Sequence, residues 1–88
     1  MDWLDRMNQA MDYIEDHLDE AIPCETLAKI ACCSTYHFQR MFAYIANMPL
    51  GEYIRRRRMA MAAVDLTSGM SVMNAAVKYG YESATSFL

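Results

Sequence analysis

Tyr36, Gln39 and Arg40 are the residues whose types and spacing best suit chemistry with a partner. They recur three and four positions apart, so a helix through them would present them along one stripe. An arginine fork matches the O6 and N7 acceptors of guanine, and a glutamine amide matches N6 and N7 of adenine. A tyrosine can pack on a thymine methyl or reach a phosphate. The plain alternative is a solvated helix face, and the three side chains alone leave both readings open.

Arg55 to Arg58 are four bases in a row. On a helix they spread around the circumference, so one or two can touch phosphate while the others pair with acids. Flanked by candidate reading heads, one or two of them are favoured as phosphate anchors. His37 can meet a phosphate or make a structural hydrogen bond; the structural role is the simpler one. His17, among acids, suits a surface role. Cys24, Cys32 and Cys33 lack a second spaced pair and nearby histidines, so a zinc site is not expected and small-residue packing is. No glycine-rich phosphate loop, nucleophile–base pair or carboxylate pair stands out. No catalytic residue, metal or cofactor is predicted, and the chain is not read as an enzyme.

These residues need helices to hold them. Leu4, Met7, Met11, Ile14 and Leu18 step by three and four, predicting an amphipathic helix over 3–19. Pro23 marks the next start, and 24–31 forms a short helix with Leu27, Ala28 and Ala31 inward. Ser34 caps a helix over 35–46, with Phe38, Met41, Phe42 and Ile45 as its buried stripe. Tyr36, Gln39, Arg40 and Ala43 then form a second stripe that the core does not claim. A longer helix follows Pro49 over 50–67, carrying Tyr53, Ile54, Met61 and Val64. Ser68-Gly69 closes it. Ser71 caps a fifth helix with Val72, Ala75, Ala76 and Tyr79 at helical spacing. After the turn Gly80-Tyr81-Glu82, Ser83 caps a sixth, from Ala84 to Leu88.

The order repeats. Ala28, Cys32, Ser34 and Phe38 correspond to Ala76, Gly80, Ser83 and Phe87: small residue, turn, hydroxyl cap, aromatic plug. The expected fold is all-α, with tandem helix-turn-helix, homeodomain-like units joined by a long linker helix. Its parts are a first unit over 1–49, a linker over 50–67 and an incomplete second unit over 68–88.

Composition sets bounds. The chain has 88 residues, 55% hydrophobic, and only three glycines and two prolines, which suits one helical domain. Net charge is −3, but residues 1–25 carry −7 and residues 26–88 carry +4. The basic part is the part with the candidate reading stripe. No apolar run approaches a membrane span, and the acidic start lacks the layout of a signal peptide, so a cytosolic protein is expected.

Together these residues resemble the DNA-binding domain of the AraC/XylS family of bacterial transcription regulators. The resemblance rests on Leu27 through Phe42, on Pro49 through Arg56 with Arg58, and on Ala76 to Tyr81 with Ser83 and Phe87. It covers essentially the whole chain. It implies seven helices, the fourth linking two subdomains, and a recognition helix in each of two successive major grooves of promoter DNA. The DNA-facing set it implies is Ser34, Thr35, Tyr36, His37, Gln39 and Arg40, with Arg55 and Arg58, and Ser83, Ala84, Thr85 and Ser86 from the second unit. RNA polymerase, and a small-molecule effector acting through a further C-terminal domain, are the other partners it implies, at the bacterial nucleoid.

Three departures follow. Cys32 stands where the family usually has glycine, which asks for an adjusted or strained backbone. Pro23 stands where a serine or threonine cap is common. Aligning the units puts Leu88 under Gln39, so the counterpart of Arg40 would be the next residue after the sequence in hand. The fragment is therefore expected to bind DNA weakly or not at all, with a frayed last turn. The rival reading is a protein-interaction module whose acidic first helix binds a partner.

Overall fold

A computed structural model describes residues 2–80. Met1 and residues 81–88, with the predicted sixth helix and its Ser83, Ala84, Thr85 and Ser86, lie outside the described residues. Those described form five α-helices and no strand: α1 (Trp3–Asp16), α2 (Cys24–Ala31), α3 (Thr35–Ala46), α4 (Leu50–Thr67) and α5 (Val72–Lys78).

α1 opens with a capping box. The Asp2 carboxylate accepts the Asp5 N–H at 2.9 Å, and the Asp5 carboxylate accepts the Asp2 N–H at 3.4 Å. The helix ends at Asp16, three residues before the predicted boundary at 19. Its last turn carries no base, and acids crowd the negative end of the dipole, where cations would stabilise it. Arg58 occupies that end from α4, donating to the Leu18 carbonyl at 2.9 Å and the Glu20 carbonyl at 2.7 Å. Leu18 stays buried although it lies past the helix.

α1 packs on α2, α2 on α3, and α3 on α4. Phe38, Phe42, Ile14 and Leu27 are the largest fully buried side chains, joined by Met7, Ala10, Ala28, Ala31, Leu50 and Ile54. Phe42 meets Tyr53 of α4 edge-on, centroids 5.2 Å apart. α5 contributes Ala75 and Ala76, Tyr79 follows at its C-cap, and Ala62 of α4 belongs to the same buried cluster.

Four expected apolar-stripe positions are not buried. Leu4 is 61% exposed, Ile45 and Val64 are each 54% exposed, and Val72 is 38% exposed. Periodicity places each on the apolar side of its helix, but among the described residues no element arrives to cover it. Met41 and Met61 are half-buried.

The turn between α2 and α3 is where sequence and geometry are most at odds. Cys32 has φ 59° and ψ 45°, the left-handed conformation that favours glycine. Its N–H donates to the Lys29 carbonyl at 3.1 Å, and the Cys33 N–H reaches back to the Ala28 carbonyl at 3.0 Å, so the helix end fixes this backbone. Asn47 holds the same conformation after α3 (φ 58°), and asparagine tolerates it better. Pro23 precedes α2 without a side-chain cap.

α4 and α5 are joined by Asp65. Its carboxylate accepts the Tyr79 hydroxyl at 2.6 Å and the Lys78 ammonium at 2.9 Å. The Tyr79 hydrogen bond, then that from Lys78, holds the Asp65 carboxyl below the usual carboxylate range.

Two measurements follow. Cys32→Gly should relieve the left-handed penalty of about 1–2 kcal/mol, less about 0.4–1 kcal/mol for the freer unfolded chain. A net gain of about 0.5–1 kcal/mol, or about 2–8 °C in Tm, is expected by thermal denaturation; a fall in Tm would refute the strain. The stabilisation from Asp65 should be complete above its ordinary pKa near 4 and vanish as pH falls through its lower native value. Urea denaturation should therefore find Asp65→Asn weaker than the parent at pH 7, with the gap closing as pH falls below about 4. A gap that persists at low pH would contradict this.

Candidate nucleic-acid interface

α3 owes its orientation to its two faces. Ser34 caps it, its hydroxyl accepting the His37 N–H at 3.1 Å, so the Ser34 side chain is engaged in the helix start. Phe38 and Phe42, one turn apart, are buried, with ring centroids 6.1 Å apart. That leaves the other flank to Tyr36, Gln39 and Arg40, all exposed, with half-buried Ala43 beside them. Tyr36 is 66% exposed. Thr35 is half-buried at the first turn, and His37 is exposed.

The stripe is ordered by its own contacts. Arg40 donates from Nη1 to the Tyr36 hydroxyl at 2.9 Å, and its guanidinium carbon lies 5.6 Å from the Tyr36 ring centroid. Gln39 donates from Nε2 to Cys24 Sγ at 3.4 Å. Cys24 Sγ also lies 3.9 Å from the Thr35 carbonyl. So the residue that opens α2 touches two members of the predicted site. Sequence reasoning missed this because the two residues are fifteen apart, and helical periodicity carries no signal across a turn. A concave surface runs from Gln39 and Ala43 to Pro49, Leu50 and Gly51, which sets the start of α4 beside the stripe.

The four arginines divide. Arg56 pairs with Glu52 one turn back at 2.6 Å. Arg57 reaches Glu15 of α1 through Nε and Nη2, at 3.1 and 2.7 Å. The hydrogen bond to Glu15 is the main cause of the raised Arg57 pKa. Arg58, expected as a phosphate anchor, is instead half-buried and hydrogen-bonded inward to the two backbone carbonyls after α1. Arg55 is exposed and makes no hydrogen bond or ion pair among the described residues.

The remaining candidates have local roles. His17 stacks on Tyr13 with centroids 3.8 Å apart, and its Nδ1 is 2.7 Å from the Tyr13 carbonyl. Burial, and then the neighbouring Cys32 and Cys24, push the Cys33 thiol up, which leaves it a poor nucleophile near neutrality. Among the described residues no cluster of histidine, cysteine and carboxylate side chains could hold a metal ion. No helix there is long and apolar enough to cross a membrane.

A family described as a helix-turn-helix domain matches residues 27–88. Over 82 residues the chain is 38% identical to the HTH-type transcriptional activator AarP of Providencia stuartii, spanning 92% of this chain but 61% of that protein. It is 36% identical over 78 residues to the regulatory protein SoxS of Salmonella typhimurium, with 88% and 73% covered. The DNA-binding domain of AdpA, solved in complex with a target DNA, superposes with a TM-score of 0.80 at 27% identity, over 92% of this chain and 74% of that one. An AraC-type regulator from Chromobacterium violaceum superposes with a TM-score of 0.86 at 18% identity, over 96% and 76%, a likeness of fold. With its helix-turn-helix geometry and these relatives, the chain belongs to the AraC/XylS family of transcription regulators.

Proposed function

We propose that this chain is the DNA-reading part of a transcription regulator. α3 would enter a major groove with Tyr36, Gln39 and Arg40 toward the base edges. The observation that carries this is the division of α3 itself: Phe38 and Phe42 are buried while the opposite flank exposes three long hydrogen-bonding side chains. Thr35 and His37 flank the stripe as backbone-facing positions, and Ser34 acts through the cap. The second reading head would be built around Ser83, Ala84, Thr85 and Ser86, one helical turn of duplex away.

The arginines support an assignment of roles. Of the four consecutive arginines, Arg55 is the one with no hydrogen bond or ion pair among the described residues, and it is proposed to anchor a phosphate. Arg58 is proposed to act through the fold, by holding the end of α1. The partner is double-stranded promoter DNA, bound without catalysis. The setting proposed is the bacterial cytoplasm, at the nucleoid, alongside RNA polymerase, with any small-molecule effector sensed by a separate domain.

Selection of a preferred site from a random-sequence duplex pool, followed by fluorescence anisotropy, tests the scheme. Arg40→Ala should lose about 1–3 kcal/mol of affinity and relax the preference at one base pair. Arg55→Ala should weaken all duplexes alike and reduce the salt slope by about 1, whereas Arg58→Ala should lower Tm and leave the slope unchanged. If Arg40→Ala alters neither affinity nor preference, α3 does not read bases.

A further inference from the structure

A groove between α1 and α3, floored by core residues, takes no part in the stripe proposed to meet DNA. Leu4, Met7 and Met11 form one wall, and Phe42, Ile45 and Met48 the other, around a volume of about 350 Å³. Beyond Ile45 a second hollow of about 310 Å³ opens between Trp3 and Tyr44. Trp3 is 41% exposed and Tyr44 89%, so with Leu4 and Ile45 four large apolar side chains meet solvent around these hollows. An apolar patch of this kind with a polar rim is the usual mark of an interaction surface.

The rim decides the chemistry. Asp5, Asn8, Asp12 and Asp16 follow one another at spacings of three and four, so they run along α1 as a stripe beside the Leu4–Met7–Met11 wall. All four are exposed. Asp12 and Asp16 join no ion pair among the described residues. We infer that the groove receives an amphipathic protein helix, with aliphatic side chains seated between α1 and α3 and basic side chains over Asp5, Asp12 and Asp16.

This is helix-in-groove recognition, in which anchors one or two turns apart supply the affinity and charges set partner choice. The same acids argue against other occupants. A second copy would bring two segments of charge −7 together, and anionic lipid would be repelled. Arg40 and His37 line the second hollow, so the basic part of the ligand must run the other way, toward Asp12 and Asp16. Around α3, Ile45 lies roughly 180° from Tyr36, so the first groove lies on the far side of the helix from Tyr36, while the second hollow borders the stripe at Arg40.

The test uses the whole chain and a fluorescein-labelled synthetic peptide of about 18 residues, with leucine at i, i+3, i+4 and i+7 and lysine elsewhere. Anisotropy should show saturable binding of this peptide and none of its counterpart with glutamate in place of lysine. The double variant Leu4→Gln, Ile45→Gln leaves the net charge unchanged and alters two exposed positions. It should bind at least about tenfold more weakly while keeping its helical circular dichroism. Asp12→Asn with Asp16→Asn should also weaken binding severalfold. Equal binding of the lysine peptide to the Gln double variant would overturn the proposal, since it would show charge attraction alone. So would equal binding of the glutamate peptide, or a dimer by sedimentation that the Gln double variant abolishes.

Discussion

Burial of Phe38 and Phe42 is the constraint from which the rest follows. They sit one turn apart on α3, and both are essentially inaccessible to water. Burying two such rings is worth several kcal/mol, more than any polar contact in the molecule can return. Their position fixes the rotation of α3 about its axis. Once that rotation is fixed, Tyr36, Gln39 and Arg40 have no choice but to face outward. Tyr53 carries the constraint into α4 by its edge-on contact with Phe42. The packing of apolar rings thus decides where the polar side chains point, and the hydrogen bonds refine what packing has set.

The electrostatic arrangement follows the same division. The acids of the first 25 residues lie mostly on α1 and just after it. Glu15 meets Arg57, and Arg58 donates to the two carbonyls of Leu18 and Glu20 that follow α1. The arginine run thus spends part of its charge inside the molecule. The net +4 of the later segment overstates the charge available to a polyanion. The pairs near the surface are individually weak, but those made by Arg57 and Arg58 join segments about forty residues apart.

Much of this was legible in the residues. Ser34 and Ser71 marked helix starts, and both hydroxyls accept the expected N–H. The Phe38–Phe42 stripe and its opposite flank were readable from spacing alone. What spacing could not supply was the neighbour. Leu4 and Ile45 carry an apolar period yet stay open, because a period shows which side of a helix is able to be buried and not whether anything covers it. Arg58 looked like the other arginines because its partners are backbone carbonyls, which leave no mark in a sequence. The Cys24–Gln39 contact was hidden for the same reason: it depends on how α2 and α3 cross. Cys32 is the opposite case, for the turn position that usually holds glycine has the backbone of one.

The placement of Trp3 has a spectroscopic consequence. It is the single tryptophan of the chain, and it shares a hollow with His37, Arg40 and Tyr44. Its indole is partly open to water at the edge of α3. With excitation at the red edge of its absorption, where the six tyrosines do not absorb, the tryptophan emission arises from one place, beside the helix on which the reading stripe lies. A shift in its wavelength or quenching reports the environment of α3 without any label. The protein carries its own optical probe at the junction between its acidic helix and its candidate reading helix.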